Sequence, residues 1–282
     1  MTAKIFDGRS LAVGIEKRLL AKIKKMPRRR ALSLAVILVG QDKSSKSYIR
    51  QKQKTAARLG LDFHLFALPQ KTSLAQLKNT IAGVQKELKP TGLILQLPLP
   101  RPEFTEEALS AIDPARDADC LTPENLGRLL LNEKHALLPP TVSAILEIML
   151  KQKIKLNGKK VVIIGHGLLV GRPLAVVLSS RNATVTVCHS QTKNLATITR
   201  GADIIITAVG KYNLLRGRMI KPDAIVIDAG ISFHGGKMYG DINLAEVSAK
   251  ASFVTPTPGG VGPLTVIALL ANTLELADRK NI

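Results

Sequence analysis

One lysine falls on the wrong side of a helix in "SSKSYIRQKQKTAARLG", residues 44 to 60. Advancing about 100° per residue puts Ser45, Tyr48, Ile49, Lys52, Ala56 and Leu59 on one stripe, which faces inward. Lys46, Arg50, Lys54 and Arg58 take the other half, where solvated charges belong. Lys52 therefore sits in the middle of an apolar or weakly polar face. Burial disfavours the charged form of an amine, so a lysine held there against Tyr48 and away from water is a candidate base for a water molecule. The plainer alternative is a charge that snorkels from the helix face to solvent.

Gln96 closes the apolar run "TGLILQLPLP". In open α/β sheets ligands gather at the carboxyl ends of strands. The helix of Lys52 and Gln96 both lie at such ends, so the two can share a crevice. An amide can hold an amine without fixing its charge, which a carboxylate would do. Asp119, in "DPARDADC", can accept from the ring N–H groups of a heterocycle, or can simply be a loop or cap residue. Ser45 reads equally as a helix cap and as a ligand contact, and Tyr48 without Lys52 would read as core packing.

A second constellation lies in "KKVVIIGHGLLVGRPLAVVLSS". A strand, a glycine-rich turn and a helix from about Val170 space Gly165, Gly167 and Gly171 as a variant dinucleotide fingerprint. Such glycines permit a tight turn and close approach to a pyrophosphate, and the helix N-terminus offers free N–H groups. Tight packing alone is the competing reading, but "ATVTVCHS", "ADIIITAVG" and "AIVIDAG" follow as strands at suitable spacing. At the end of the second strand, a cofactor without a 2′-phosphate usually meets Asp or Glu. Cys188, His189, Ser190 and Gln191 stand there instead, with Arg181 and Lys193 nearby in sequence. This leans toward NADP, with NAD the alternative. His189 is as readily a polar residue that closes a strand.

The elements that must position these residues alternate as strand and helix, which gives an α/β fold. "LSLAVILVG" (Leu32 to Gly40) reads as a buried parallel strand, "DFHLFALP" as the next, and "SLAQLKNTIAGVQKEL" as a helix capped by Ser73. Pro139 and Pro140 precede the helix "TVSAILEIMLKQ", which Thr141 is placed to cap, and suggest a domain boundary near 140. A chain of 282 residues with 45% hydrophobic content is long enough for one large domain or two ordinary ones.

Cys120 and Cys188 are the only cysteines and show neither disulfide nor metal-ligand spacing. No metal is expected, and a reducing compartment fits. The N-terminus has no signal-like apolar core, and no apolar run reads as long enough to span a bilayer; the expectation is a cytoplasmic protein without a membrane partner. The formal charge of +20 asks for an anionic partner. Aromatics at 3% with no Trp argue against a specific nucleic-acid surface, and "KIKKMPRRR" (Lys22 to Arg30) reads as the exposed end of a helix and its turn.

Taken together, Ser45-x-x-Tyr48-x-x-x-Lys52, "GLILQLPLP", "DADCLTPENLGRLL", "GHGLLVGRP", "ATVTVCHSQT", "GADIIITAVGK", "VIDAGI", "GDI" and "TPTPGGVGPLT" stand in one order over nearly the whole chain. In this the chain resembles the bifunctional methylenetetrahydrofolate dehydrogenase/methenyltetrahydrofolate cyclohydrolase family. The resemblance implies two α/β domains. Residues 1–140 with 265–282 would form a folate-binding catalytic domain, to which the C-terminal helix returns, and 141–264 a Rossmann-like NAD(P)-binding domain. It implies a homodimer acting on tetrahydrofolate substrates, with or without polyglutamate tails. The reaction is oxidation of 5,10-methylenetetrahydrofolate with NADP, then hydrolysis of the methenyl form to 10-formyltetrahydrofolate.

Position by position, Lys52 is similar to the family's catalytic lysine and Tyr48 to the tyrosine that packs on the folate. Gln96 would orient the lysine, and Asp119 would hydrogen-bond the pterin. Ser45, Leu97, Pro258, Gly259 and Gly260 fall at substrate-binding positions. The cofactor positions carried over are Gly165, His166, Gly167, Val170, Gly171, Pro173, His189, Ser190, Thr192, Ala208, Gly210 and Ile231.

Three departures bear on function. Cys120 replaces a usual glycine, so its side chain would crowd the pterin or demand a different backbone angle. His166-Gly167 replaces Arg-Ser, which weakens the expected grip on the cofactor's phosphates, and "PPTVSA" replaces a Pro-Cys-Thr-Pro-type turn. The alternatives to the bifunctional enzyme are a member with altered cofactor choice or one activity lost, and a non-catalytic nucleotide- or nucleic-acid-binding protein.

Overall fold

The computed structural model describes residues 2–26, 32–41 and 43–279, so the end of the basic cluster, 27–30, lies outside the described residues. Along the first part of the chain run β1 (Lys4–Ile5), α1 (Gly8–Lys25), β2 (Ser33–Val39), α2 (Lys43–Leu59), β3 (Asp62–Leu68), α3 (Leu74–Gly83), β4 (Gly92–Leu95), α4 (Thr105–Ser110) and α5 (Pro123–Leu130). The remainder holds α6 (Pro140–Lys151), β5 (Lys160–Ile164), α7 (Gly171–Ser179), β6 (Thr184–Cys188), α8 (Leu195–Arg200), β7 (Ile204–Thr207), β8 (Ile225–Asp228), β9 (Ser232–His234), β10 (Lys237–Tyr239), α9 (Leu244–Ser248), β11 (Phe253–Val254) and α10 (Val261–Arg279).

The chain divides into two compact units: Gly14–Arg128 with His135–Pro140 and Val266–Ile282, and Met1–Val13 with Leu129–Lys134 and Thr141–Thr265. The first holds a parallel sheet ordered β3-β2-β4. Every residue of β2 is buried, the signature of a central strand covered on both faces. Leu34, Ile37, Leu93, Ile94 and Leu95 are essentially without exposed surface, and each contributes about 2 kcal/mol by leaving water. Ser73 caps α3 as expected: its Oγ accepts from the Gln76 amide at 3.2 Å, and the Gln76 side chain accepts from the Ser73 amide at 2.9 Å. The expected helix 73–88 does not stay regular, since Val84–Leu88 widens into a π turn that Lys89 ends at φ 50°.

The second unit carries a sheet ordered β1-β11-β8-β7-β5-β6 with all pairs parallel. Ala3, Val162, Ile164, Ile205, Val226 and Val254 belong to its core. Here the structure differs from the expected boundaries. The N-terminal strand, expected in the folate domain, pairs with β11 as the edge of the six-stranded sheet. A two-residue strand has too little pattern to show its partner.

Two further expectations change. Thr141 does not cap α6, because the helix already begins at Pro140; the residue lies in the first turn, and its Oγ1 accepts from Thr265 at 3.4 Å. α10 does meet the length and hydropathy of a membrane span, contrary to the reading of the apolar runs, but 67% of that window is buried inside the protein. It is built as a core helix, with Leu264, Leu270 and Leu274 fully enclosed.

Candidate active site

The misplaced lysine is buried. Ser45, Ile49, Lys52, Ala56 and Leu59 of α2 are all enclosed and Tyr48 half so, while Arg50, Lys54 and Arg58 face solvent. Lys52 does not snorkel: its Nζ donates to Gln96 Oε1 at 3.0 Å and lies 5.8 Å from the centre of the Tyr48 ring. Gln96 is held in turn, since its amide donates to the Leu97 carbonyl at 2.9 Å. That fixes the amide oxygen toward the lysine. Burial pushes the Lys52 amine below its ordinary range, opposed by the charge of Asp119. Ser45 is the third residue of α2, so it is no N-cap; it lies buried on the same inward stripe as Lys52.

Asp119 reaches this group by a route the sequence did not display. Asp117 forms an isolated parallel bridge to Leu93 of β4, with Leu93 N–H on Arg116 O at 2.7 Å and Ala118 N–H on Leu93 O at 3.3 Å. The segment thus runs beside the strand that ends at Gln96. Asp119 is half-buried, and its carboxyl is pushed up to about 6 by burial, against the pull of Lys52 and with Asp117 adding to the rise. Asp117 itself is a support: its Oδ2 accepts from the Thr122 amide at 2.8 Å and the Asn125 side chain at 3.0 Å.

Cys120 has φ 57°, so it adopts the left-handed angle that favours glycine and carries a side chain there. The thiol turns into the core, accepting from Asn272 Nδ2 at 3.5 Å. Its side chain is thus enclosed, while the backbone keeps the left-handed angle. Burial raises the Cys120 thiol well above its ordinary range, with Asp117 adding to the rise, and burial raises that of Cys188. The reactive form of a thiol is the thiolate, so native protein is expected to show almost no labelling by an aromatic disulfide reagent at pH 8. Two thiols should appear on unfolding. Rapid labelling of either cysteine in the native protein would contradict this placement.

The glycine turn joins β5 to α7. Gly165 has φ 122°, and a Cβ on Gly171 would stand 2.0 Å from the Gly165 carbonyl oxygen. Helix and strand approach too closely there for any side chain. A Cβ on Gly167 would meet nothing within 4 Å, so the turn is open on that side. This open turn, leading to the N-terminus of a nine-residue helix, fits a pyrophosphate. Val170 is the residue before α7, and Pro173 is buried within it.

The second strand ends as expected at Cys188, next to β5: the Gly165 amide donates to Cys188 O at 2.8 Å. His189 and Thr192 close a tight turn, with His189 N–H on Thr192 Oγ1 and Thr192 N–H on His189 O, both at 2.9 Å. Ser190 is exposed on it. The rings of His166 and His189 lie 5.5 Å apart.

Ala208 lies beside β5, its N–H donating to Ile164 O at 2.8 Å, and Gly210 meets Ile231, whose carbonyl oxygen would stand 2.9 Å from a Cβ there. Two carboxylates missed in the sequence support these loops. Asp241 accepts from the amides of Val209 at 2.8 Å and Lys211 at 2.6 Å. Asp228 accepts from the Thr207 hydroxyl at 2.9 Å and the Asp241 amide at 3.0 Å. Burial and the Asp241 charge push Asp228 up to about 6. A carboxylate ending the apolar run "AIVID" was the available signal. Pro258, Gly259 and Gly260, expected at the substrate, belong to the six-stranded unit, where Gly259 O accepts from Gly8 N–H at 2.9 Å.

Comparison with known proteins bears on both units. Residues 6–119 match the description "Tetrahydrofolate dehydrogenase/cyclohydrolase, catalytic domain", and residues 139–281 match its "NAD(P)-binding domain". A protein of Thermodesulfovibrio yellowstonii called "Bifunctional protein FolD" is 40% identical over 98% of this chain and 97% of its own length. One of the same name from Heliobacterium modesticaldum is 42% identical over 97% and 96%. A crystal structure of the Trypanosoma brucei methylenetetrahydrofolate dehydrogenase-cyclohydrolase, complexed with NADP cofactor and inhibitor, superposes with a TM-score of 0.94 at 36% identity and covers 99% of both chains. The buried lysine on its glutamine, the glycine turn and matches spanning both units agree: this chain belongs to the tetrahydrofolate dehydrogenase/cyclohydrolase family.

Proposed function

We infer that the chain oxidises 5,10-methylenetetrahydrofolate to the 5,10-methenyl form with a nicotinamide cofactor and then hydrolyses that product to 10-formyltetrahydrofolate. The observation that carries this is the Lys52–Gln96 pair, a buried amine held by a neutral acceptor at 3.0 Å. The unit containing Lys52 binds the folate, and the unit containing the glycine turn binds the cofactor. The turn at Gly165, Gly167 and Gly171 would hold the nicotinamide cofactor, which would supply the hydride acceptor.

Every other part of the chemistry falls to the chain's own residues. Hydride loss leaves a cationic, iminium-like carbon, and water adding to it must lose a proton. Lys52 accepts that proton as a neutral amine, which its burial favours. Gln96 keeps the amine in place without supplying a charge that would hold it protonated. Asp119 binds the N–H groups of the pterin, and Tyr48 packs against the ring.

We propose NADP as the preferred cofactor. No carboxylate follows Cys188 through Lys193, whereas Arg181, Lys193 and His189 stand nearby in sequence. The same reading makes the protein a cytoplasmic homodimer. The test is a spectrophotometric assay with methylenetetrahydrofolate and each of NADP and NAD. NADP should be used at least as well, and His166→Arg should tighten NADP by roughly tenfold through an added bidentate phosphate donor. An enzyme that uses NAD far better, with no response to His166→Arg, would overturn the cofactor assignment.

A further inference from the structure

The six-stranded unit carries a second concave site, at the end of its sheet away from the glycine turn. A cavity of about 440 Å³ opens there, lined by the turn after α6, by Lys159 before β5, by Asp203 before β7 and by Lys221 and Asp223 before β8. Its volume lies in the range of small-molecule sites, about 300–1,000 Å³. The parallel strand β5 carries the chain roughly 15 Å from this end to the glycine turn, so a ligand here does not overlap the cofactor. The cavity shares no residue with either constellation already described, and its occupancy is independent of the folate and cofactor readings.

Charge in the lining is unequal. Asp203 is already satisfied: its Oδ2 accepts from the Lys160 amide at 2.8 Å, and its Oδ1 pairs with Lys221. The Lys221 ammonium and that amide hold the Asp203 carboxyl below its usual range, and the charge of Lys159 adds to the effect. Lys153, Lys155 and Lys159 remain, all exposed, and among the described residues none of them forms an ion pair. Within the lining, Asp223 is the one carboxylate left to oppose them. A lysine just beyond a helix C-terminus is ordinarily explained by the macrodipole, which accounts for Lys153. It does not account for Lys159, which reaches the same cavity from another segment.

We propose that this cavity binds a small anion bearing more than one phosphate group, held by Lys153 and Lys155 from one turn and by Lys159 from another. Both turns are fixed by their backbones. Lys153 N–H donates to Leu150 O at 3.0 Å and Ile154 N–H to Met149 O at 2.9 Å, while Lys159 donates to Leu156 O and accepts from Thr184 N–H, both at 2.9 Å. Lys153 has φ 55°, a left-handed angle that costs a non-glycine residue about 1 kcal/mol. No arginine lines the cavity. A guanidinium fork matches the two oxygens of a carboxylate, whereas an ammonium is a compact charge with three donors that grips a phosphate from any side. Two separate lysine positions suit two phosphate groups rather than one.

The test is calorimetric titration of the full chain with pyrophosphate, with and without saturating NADP, at about 0.15 M salt, where exposed charges more than about 8 Å apart are largely screened. Wild-type protein should bind one pyrophosphate per chain at this site with NADP present. Lys153→Gln/Lys155→Gln should weaken that binding by about tenfold, the order for two exposed charge-assisted contacts. Lys159→Gln, on the other turn, should weaken it by about threefold and serves if the double variant fails to fold. Lys24→Gln/Lys25→Gln removes the same charge from the exposed end of α1 and measures the pull of the overall charge of +20; its effect should stay below about twofold. Citrate, of similar charge but built of carboxylates, should bind more weakly than pyrophosphate. Equal losses in the α1 and cavity variants would reduce the binding to the general field, and its disappearance on adding NADP would move it to the glycine turn. Either result, or no binding by the wild type, would overturn the site, and citrate binding as tightly would overturn the phosphate assignment.

Discussion

Lys52→Met is expected to bring hydrolysis of methenyltetrahydrofolate close to its spontaneous rate, a loss of at least about 100-fold, the usual scale for a positioned base. The substitution keeps the length of the stem inside a pocket where Lys52 is buried, and it removes a group whose burial the fold must otherwise offset. The protein should therefore remain folded. Oxidation should fall less, because hydride transfer asks mainly that folate and nicotinamide be held face to face. In the wild type, hydrolysis should decline as the pH is lowered: burial lowers the Lys52 pKa, the base is the neutral amine, and protonation removes it. The measurement is the disappearance of methenyltetrahydrofolate by absorbance, corrected for the spontaneous reaction. Near-wild-type hydrolysis in the mutant would leave Lys52 without a chemical role, whatever its burial.

Gly171→Ala should have the next largest effect, and on the other unit. The added methyl would stand 2.0 Å from the Gly165 carbonyl oxygen and 2.7 Å from its carbon. Backbone cannot rotate aside as a flexible side chain can, so α7 must move off β5. Overpacking of this kind costs about 3 kcal/mol, which corresponds to roughly 100-fold in cofactor affinity if the turn gives way rather than the core. Titration with NADP and a thermal melt read the two outcomes. Hydrolysis at Lys52 should persist, since the lysine and its partners belong to the three-stranded unit. Unchanged affinity and unchanged melting would show that the turn is looser than its contacts imply. Gly167→Ala is the companion variant, because its methyl meets no neighbouring atom within 4 Å and tests the open side of the turn without the clash.

The central strand, the inward stripe of α2, the Ser73 cap and the glycine turn were all legible in the sequence. Each is a local or periodic property: a continuous apolar run, a repeat near 3.6, a serine three residues before a glutamine, glycines between strand and helix. Lys52 was legible for the same reason, since a charge on an apolar stripe contradicts its own neighbourhood. The cap assignment of Thr141, and the cap alternative for Ser45, failed because helix starts shift by a residue or two on local contacts. The positive φ of Cys120 was legible as a glycine-like position, but the direction of a side chain at that angle depends on what surrounds it. Here Asn272, far along the chain, receives the thiol.

By itself, then, the sequence determined the α/β class, the two constellations and the residue types able to act as base and as phosphate cradle. Only the tertiary structure decided which partners each residue meets. It placed Asp119 beside β4 through the Asp117–Leu93 bridge, set Asp228 and Asp241 beneath the loops after β7 and β8, joined β1 to β11 and brought His166 to His189. Periodicity reports which face of an element is buried, because each element must hide its own apolar surface. It carries no information about the neighbour on that face. Pairing between distant segments is settled by sheet register and by the need to satisfy buried polar groups, and both depend on the whole chain at once.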